Sequence, residues 1–121
     1  MPESIIKISD ENFGKQVLQH SKPVIVDFCA PWCSHCKEIA STFDSLAEAY
    51  REDMIFGNCN VNENPLTANR LSIQCIPNLL IFQEGQVIYT IRGLASLETI
   101  KEAIECVLSG KSMPDSSLIN E

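Results

Sequence analysis

The chain has 121 residues, 45% of them apolar, and a formal net charge of −7, which suits one globular domain and is too short for two. The acidic balance offers no footprint for a phosphate backbone, so nucleic-acid binding is excluded as a leading role. Apolar runs such as Val24-Ile25-Val26 and Leu79-Leu80-Ile81-Phe82 are far too short to span a bilayer.

In chain order, residues 5–8 read as a short strand, and Ser9 can N-cap a helix carrying Phe13 and Val17 on one face. Pro23 opens the near-continuous apolar run Val24-Ile25-Val26-Asp27-Phe28, the pattern of a strand buried on both faces. A helix follows Cys33, because Ile39, Phe43, Leu46, Ala47 and Tyr50 recur at spacings of three and four. Residues 54–61 form a further strand. Asn62-Glu63-Asn64-Pro65 is a turn, with Pro65 starting a short helix through Leu71. Strands over 78–82 and 86–92 flank Glu84-Gly85 as a hairpin. Ile100, Ile104, Val107 and Leu108 stripe a last helix, which Gly110 stops. The order βαβαβαββα places the chain in the α/β class, with parallel strands, helices on both faces and an antiparallel hairpin at one side. It is read as one domain over 1–109 and a short polar, mobile tail over 110–121.

Six cysteines without a basic-then-apolar leader point to a reducing, cytoplasmic setting, where thiols serve redox, catalytic or metal chemistry rather than a disulfide framework. The segment Asp27-Phe28-Cys29-Ala30-Pro31-Trp32-Cys33-Ser34-His35-Cys36-Lys37 concentrates that chemistry. Two cysteines separated by two residues follow a buried strand and open a helix. Cys33 then sits where free N–H groups and the macrodipole favour a thiolate, the nucleophile of disulfide exchange. Cys36, one turn on, is close enough to attack a resulting mixed disulfide. A carboxyl at Asp27 inside a buried strand is costly unless protonated or paired, so desolvation should raise its pKa; the alternative is a strand-end Asp that reaches solvent.

Over roughly residues 5 to 109 the sequence resembles the thioredoxins. The resemblance rests on Val26-Asp27-Phe28 leading into Ala30-Pro31-Trp32-Cys33, on Cys36-Lys37, on Ile76-Pro77 before the apolar strand, on Gly85 at the hairpin and on Arg92-Gly93. It implies a thioredoxin fold, a central mixed sheet of four or five strands with helices on both faces. It also implies a thiol–disulfide oxidoreductase, with Cys33 as attacking thiol, Cys36 as resolving thiol and Asp27 as the acceptor of the Cys36 proton, through water. Pro77 would be a cis-proline facing the disulfide, the Ile76 backbone would pair with an extended substrate, and Trp32 and Gly93 would line the contact surface. The implied partners are disulfide-containing protein substrates and a thioredoxin reductase or equivalent donor, with no bound cofactor, no metal, no nucleic acid, no membrane and a monomeric state.

Several positions depart from the family. Ser34-His35 stands where typical thioredoxins carry Gly-Pro, and a His before the second cysteine resembles disulfide isomerases and periplasmic oxidases. An imidazole there favours the thiolate and makes the disulfide more oxidising, which places the expected potential between about −270 mV (thioredoxin) and about −180 mV (protein disulfide isomerase). An isomerase- or oxidase-like role is therefore the first alternative. Cys29 replaces a second tryptophan. Asn58 replaces a lysine, leaving Asp27 harder to ionise. Ser41 replaces a helix-kinking proline. Cys75 is expected at the rim of the substrate groove as a regulatory thiol, whereas Cys59 and Cys106 read as small hydrophobes. Two readings from other classes compete. Cys29, Cys33, Cys36 and His35 are a possible thiolate metal or iron–sulfur set, although Cys29 at a strand end need not converge with the other two. A non-catalytic binding module of the same fold would ordinarily have lost one of the paired cysteines.

Overall fold

A computed structural model describes residues 4–110. Its regular elements are β1 (Ile5–Ile8), β2 (Val24–Cys29), α1 (Ser34–Ala49), β3 (Ile55–Asn60), α2 (Pro65–Arg70), β4 (Asn78–Gln83), β5 (Gln86–Arg92) and α3 (Leu97–Ser109). The five strands form one sheet in the order β1-β3-β2-β4-β5. The β1–β3 and β2–β3 pairs are parallel, and the β2–β4 and β4–β5 pairs antiparallel.

The centre of the sheet is β2, and all of its residues are buried. Alternation along it separates two cores. Val24, Val26 and Phe28 face one way, into a cluster with Phe13, Val17, Leu80 and Phe82. Ile25 faces the other way, beneath α1 and α3, where Ile39, Phe43, Ile100 and Ile104 pack with Phe56, Leu79 and Ile81. Fully burying one such side chain contributes about 1.5–3 kcal/mol, so the apolar neighbours hold β2 in place despite the carboxyl of Asp27 among them.

The segment after Ser9 differs from the expected α-helix. Ser9 and Asn12 do cap each other: the Asn12 N–H donates to Ser9 Oγ (3.2 Å) and the Ser9 N–H to Asn12 Oδ1 (2.8 Å). Beyond them, however, Gly14–Leu18 is wound as a π-helix, with the Gln19 N–H donating to the Gly14 carbonyl (3.0 Å). The wider turn still buries Phe13, edge-on to Phe82 with ring centroids 5.7 Å apart, and Val17. Several bounds also shift: β2 runs on to Cys29, β3 is shorter than 54–61 at both ends, α2 stops at Arg70, and β4 runs on to Gln83. The hairpin turn places Glu84 at φ 54 and Gly85 at φ 81, the paired positive φ values of a tight two-residue connection. Gly110 ends α3 in the left-handed conformation, and the rest of the expected tail, 111–121, lies outside the described residues.

Candidate active site

Cys33 is the N-cap of α1, and its sulfur accepts the Cys36 N–H at 3.3 Å. The first turn of the helix contains no acidic residue, so the helix end presents its orphan N–H groups and positive dipole to this sulfur unopposed. Cys33 is half-buried and Cys36 buried. The Cys33 thiol also faces the carbonyl of Ile76, at 3.9 Å. The Ile76–Pro77 peptide is cis, and Pro77 is buried. The Pro77 carbonyl accepts the Gly93 N–H at 2.8 Å, which ties the end of β5 to the loop in front of Cys33. The structure thus brings Cys33, Cys36, Ile76, Pro77 and Gly93 to one end of the sheet.

Behind the two cysteines lies Asp27, 2% exposed. Burial pushes its carboxyl up to about 6, and the charge of Asp44 on α1 adds to the rise. Hydrogen bonds from Cys29 and Asn58 pull the other way. Asn58 stands directly opposite Asp27 in the β2–β3 register. In place of the cation expected to be missing there, the sequence supplies a neutral donor, which offsets part of the desolvation.

Cys29 is the position that departs most from expectation. Its thiol donates to Asp27 Oδ1 at 3.0 Å, and its sulfur lies beside Cys36, near enough for each thiol to shift the other's titration. The expectation that Cys29 need not converge with the other thiols is therefore corrected. Side chains two apart on a strand share a face, so Cys29 lies on the Asp27 face, beneath α1. Burial, reinforced by the Asp27 charge, holds the Cys29 thiol far above the usual thiol range. Burial likewise raises Cys36, while the neighbouring Cys29 side chain lowers it. Asp27, Cys29, Cys36, Lys37 and Asn58 line a single cavity of about 420 Å³.

The remaining candidates do not line this cavity. Ser34 and His35 are exposed, and His35 Nε2 is 3.8 Å from Glu38 Oε1 with both side chains largely in solvent. Trp32 is exposed. Cys75 is exposed and lines a separate cleft with Asn78 and Arg92. Cys59 is fully buried in the second core, where burial pushes its thiol up to about 11, in keeping with an inert small hydrophobe. Among the described residues no group of three or more His, Cys, Asp or Glu side chains is arranged to hold a metal ion. No helix among them is long and apolar enough to cross a membrane.

Comparison with known proteins accords with this geometry. The family model for Thioredoxin matches residues 4–106. The chain is 36% identical over 98 residues to Thioredoxin 1 of Synechococcus elongatus, an alignment covering 81% of this chain and 92% of that protein. It is 39% identical over 101 residues to the thioredoxin of Buchnera aphidicola subsp. Acyrthosiphon pisum, covering 84% and 94% of the two chains. It is 40% identical over 96 residues to that of Acidithiobacillus ferridurans, covering 79% and 89%.

Proposed function

The chain belongs to the thioredoxin family, whose members are thiol–disulfide oxidoreductases, and on that premise we propose that it is a cytoplasmic protein-disulfide reductase working through a Cys33/Cys36 dithiol–disulfide cycle. The observation that carries this reading is the sulfur of Cys33 at the head of α1, bonded to the Cys36 N–H and facing the Ile76 carbonyl, with a buried carboxyl behind.

In the cycle, the Cys33 thiolate attacks one sulfur of a substrate disulfide. That S–S bond breaks, and the other substrate sulfur leaves as a thiolate that takes a proton from solvent. Cys36 then gives up its proton toward Asp27 and attacks Cys33 Sγ, displacing the second substrate sulfur. Two electrons pass to the substrate and a Cys33–Cys36 disulfide remains, to be reduced by thioredoxin reductase or an equivalent donor. Trp32, Ile76, Pro77 and Gly93 form the surface against which an extended substrate lies. The protein works as a monomer without a bound cofactor, metal, nucleic acid or membrane, and Cys75, exposed and adjacent in sequence to Ile76, is the thiol at which oxidation would regulate docking.

The test is turnover of insulin disulfides with dithiothreitol as reductant. Activity well above dithiothreitol alone, and absent in Cys33→Ser, supports the reading. A rate equal to dithiothreitol alone would leave a binding module.

The proposed potential is more oxidising than that of a typical thioredoxin, on the strength of the Ser34-His35 dipeptide. A histidine worth about 1–3 kcal/mol as a charge-assisted partner of the thiolate corresponds to about 20–60 mV at 30 mV per about 1.4 kcal/mol. His35→Pro should shift the potential that far toward negative values in glutathione buffers. An unchanged potential would mean that His35 interacts with solvent and Glu38 alone.

A further inference from the structure

The cavity behind the two cysteines contains a third thiol that the cycle above does not use. The geometry points to Cys29 as the proton relay between Cys36 and Asp27, a connection made by a side chain where the family's route runs through water. The inference rests on the reading of Cys36 as the resolving thiol.

Three observations carry it. The Cys29 thiol donates to Asp27 Oδ1 at 3.0 Å. The same sulfur lies beside the Cys36 thiol, near enough for each to shift the titration of the other. The three side chains line one cavity at the base of α1. Cys29 is 8% exposed, and the thiol is held protonated far above neutrality. It is therefore a poor nucleophile, which argues for proton transfer and against a role as a third redox sulfur.

The transfer balances. The proton of Cys36 moves to Cys29 Sγ as the proton already on Cys29 moves to the Asp27 carboxylate. One S–H bond breaks at Cys36 and one forms at Cys29; the older S–H of Cys29 breaks and an O–H forms at Asp27. Cys29 ends as it began, a neutral thiol, now donating to the Cys36 thiolate. That thiolate attacks Cys33 Sγ, and the departing substrate thiolate takes up a proton from solvent. Asp27 later returns its proton to water through the cavity. The groups facing Asp27 are Cys29 on its own strand, Asn58 on β3, and Cys36, Lys37 and Asp44 on α1; its β4 neighbour, Leu79, is apolar.

The test separates the two halves of the cycle in the full chain. Reduced protein is mixed with one equivalent of 5,5′-dithiobis(2-nitrobenzoate) and followed by rapid-quench mass spectrometry, which distinguishes a Cys33 adduct from one on Cys75. Formation of the Cys33 adduct reports attack, and its loss reports resolution by Cys36. Cys29→Val fills the site without a donor, and Cys29→Ser restores one. The expected result is unchanged attack in both variants, with resolution at neutral pH slowed about tenfold or more in Cys29→Val and within about threefold of the parent in Cys29→Ser. The parent and Cys29→Ser should also share a rate that rises as Asp27 ionises, near pH 6, a dependence that Cys29→Val should lose. Equal slowing in both variants would assign Cys29 to packing, and full-speed resolution in Cys29→Val would return the proton to water; either result overturns the relay. Should Cys29→Val not fold, Cys29→Ala answers the same question. A parent protein whose Cys33 adduct never resolves would instead overturn the dithiol cycle itself.

Discussion

Cys36→Ser should turn the protein into a trap for its own substrates. Serine conserves the shape of the side chain, and the bond that positions the Cys33 sulfur comes from the main-chain N–H of residue 36, which the substitution leaves in place. Attack by Cys33 on a disulfide therefore proceeds. Resolution stops, because a hydroxyl offers neither the acidity nor the nucleophilicity of a thiol. Insulin turnover should fall to that of dithiothreitol alone, and mass spectrometry should find the substrate linked covalently to Cys33. Adducts on another cysteine, or none, would reverse the assignment of attacking and resolving thiols.

Asp27→Asn should make the protein more stable in alkali and slower in catalysis. The folded carboxyl titrates near 6 against an ordinary value of 3.8; at about 1.4 kcal/mol per pH unit, that rise is worth about 3 kcal/mol. Because the folded pKa is the higher one, the wild type has this stability in full below about pH 3.8, loses it as the pH rises toward about 6, and lacks it above. Asn mimics the protonated acid at every pH. At pH 8 the variant should exceed the wild type by up to about 3 kcal/mol, which moves the urea midpoint by roughly 1–3 M. At pH 4 the two should nearly coincide. The same difference at both pH values would show that the carboxyl reaches solvent in the folded protein.

These expectations rest on features that were unevenly legible in the sequence. The run from Val24 to Phe28 declared a central strand because a strand buried on both faces has no polar positions to alternate with; Asp27 stood out against that background for the same reason. Pro65, Glu84-Gly85 and Gly110 marked element ends because each sits where backbone geometry restricts the choice of residue. The π-helical winding of Gly14–Leu18 was not legible, since Phe13 and Val17 at a spacing of four satisfy an α-helix equally well. Asn58 was known as a position but not as a partner, because it meets Asp27 through the register of two strands that are distant in sequence. Cys29 was legible and missed. Its place two residues after Asp27 puts both side chains on one face, a signal that weighed less than its spacing from Cys33 and Cys36 as a possible metal set.

The exposure of Trp32, 68% beside the site, has a practical consequence. It is the chain's 1 tryptophan, so the ultraviolet emission of the whole molecule reports on a single indole in water, on the residue before Cys33. A partner that covers the groove must desolvate that ring, shifting its emission toward the blue, while a bare change of redox state alters quenching with the ring still wet. Docking and electron transfer thus register as separate optical channels, wavelength for one and intensity for the other, and an unlabelled sample is sufficient to time both.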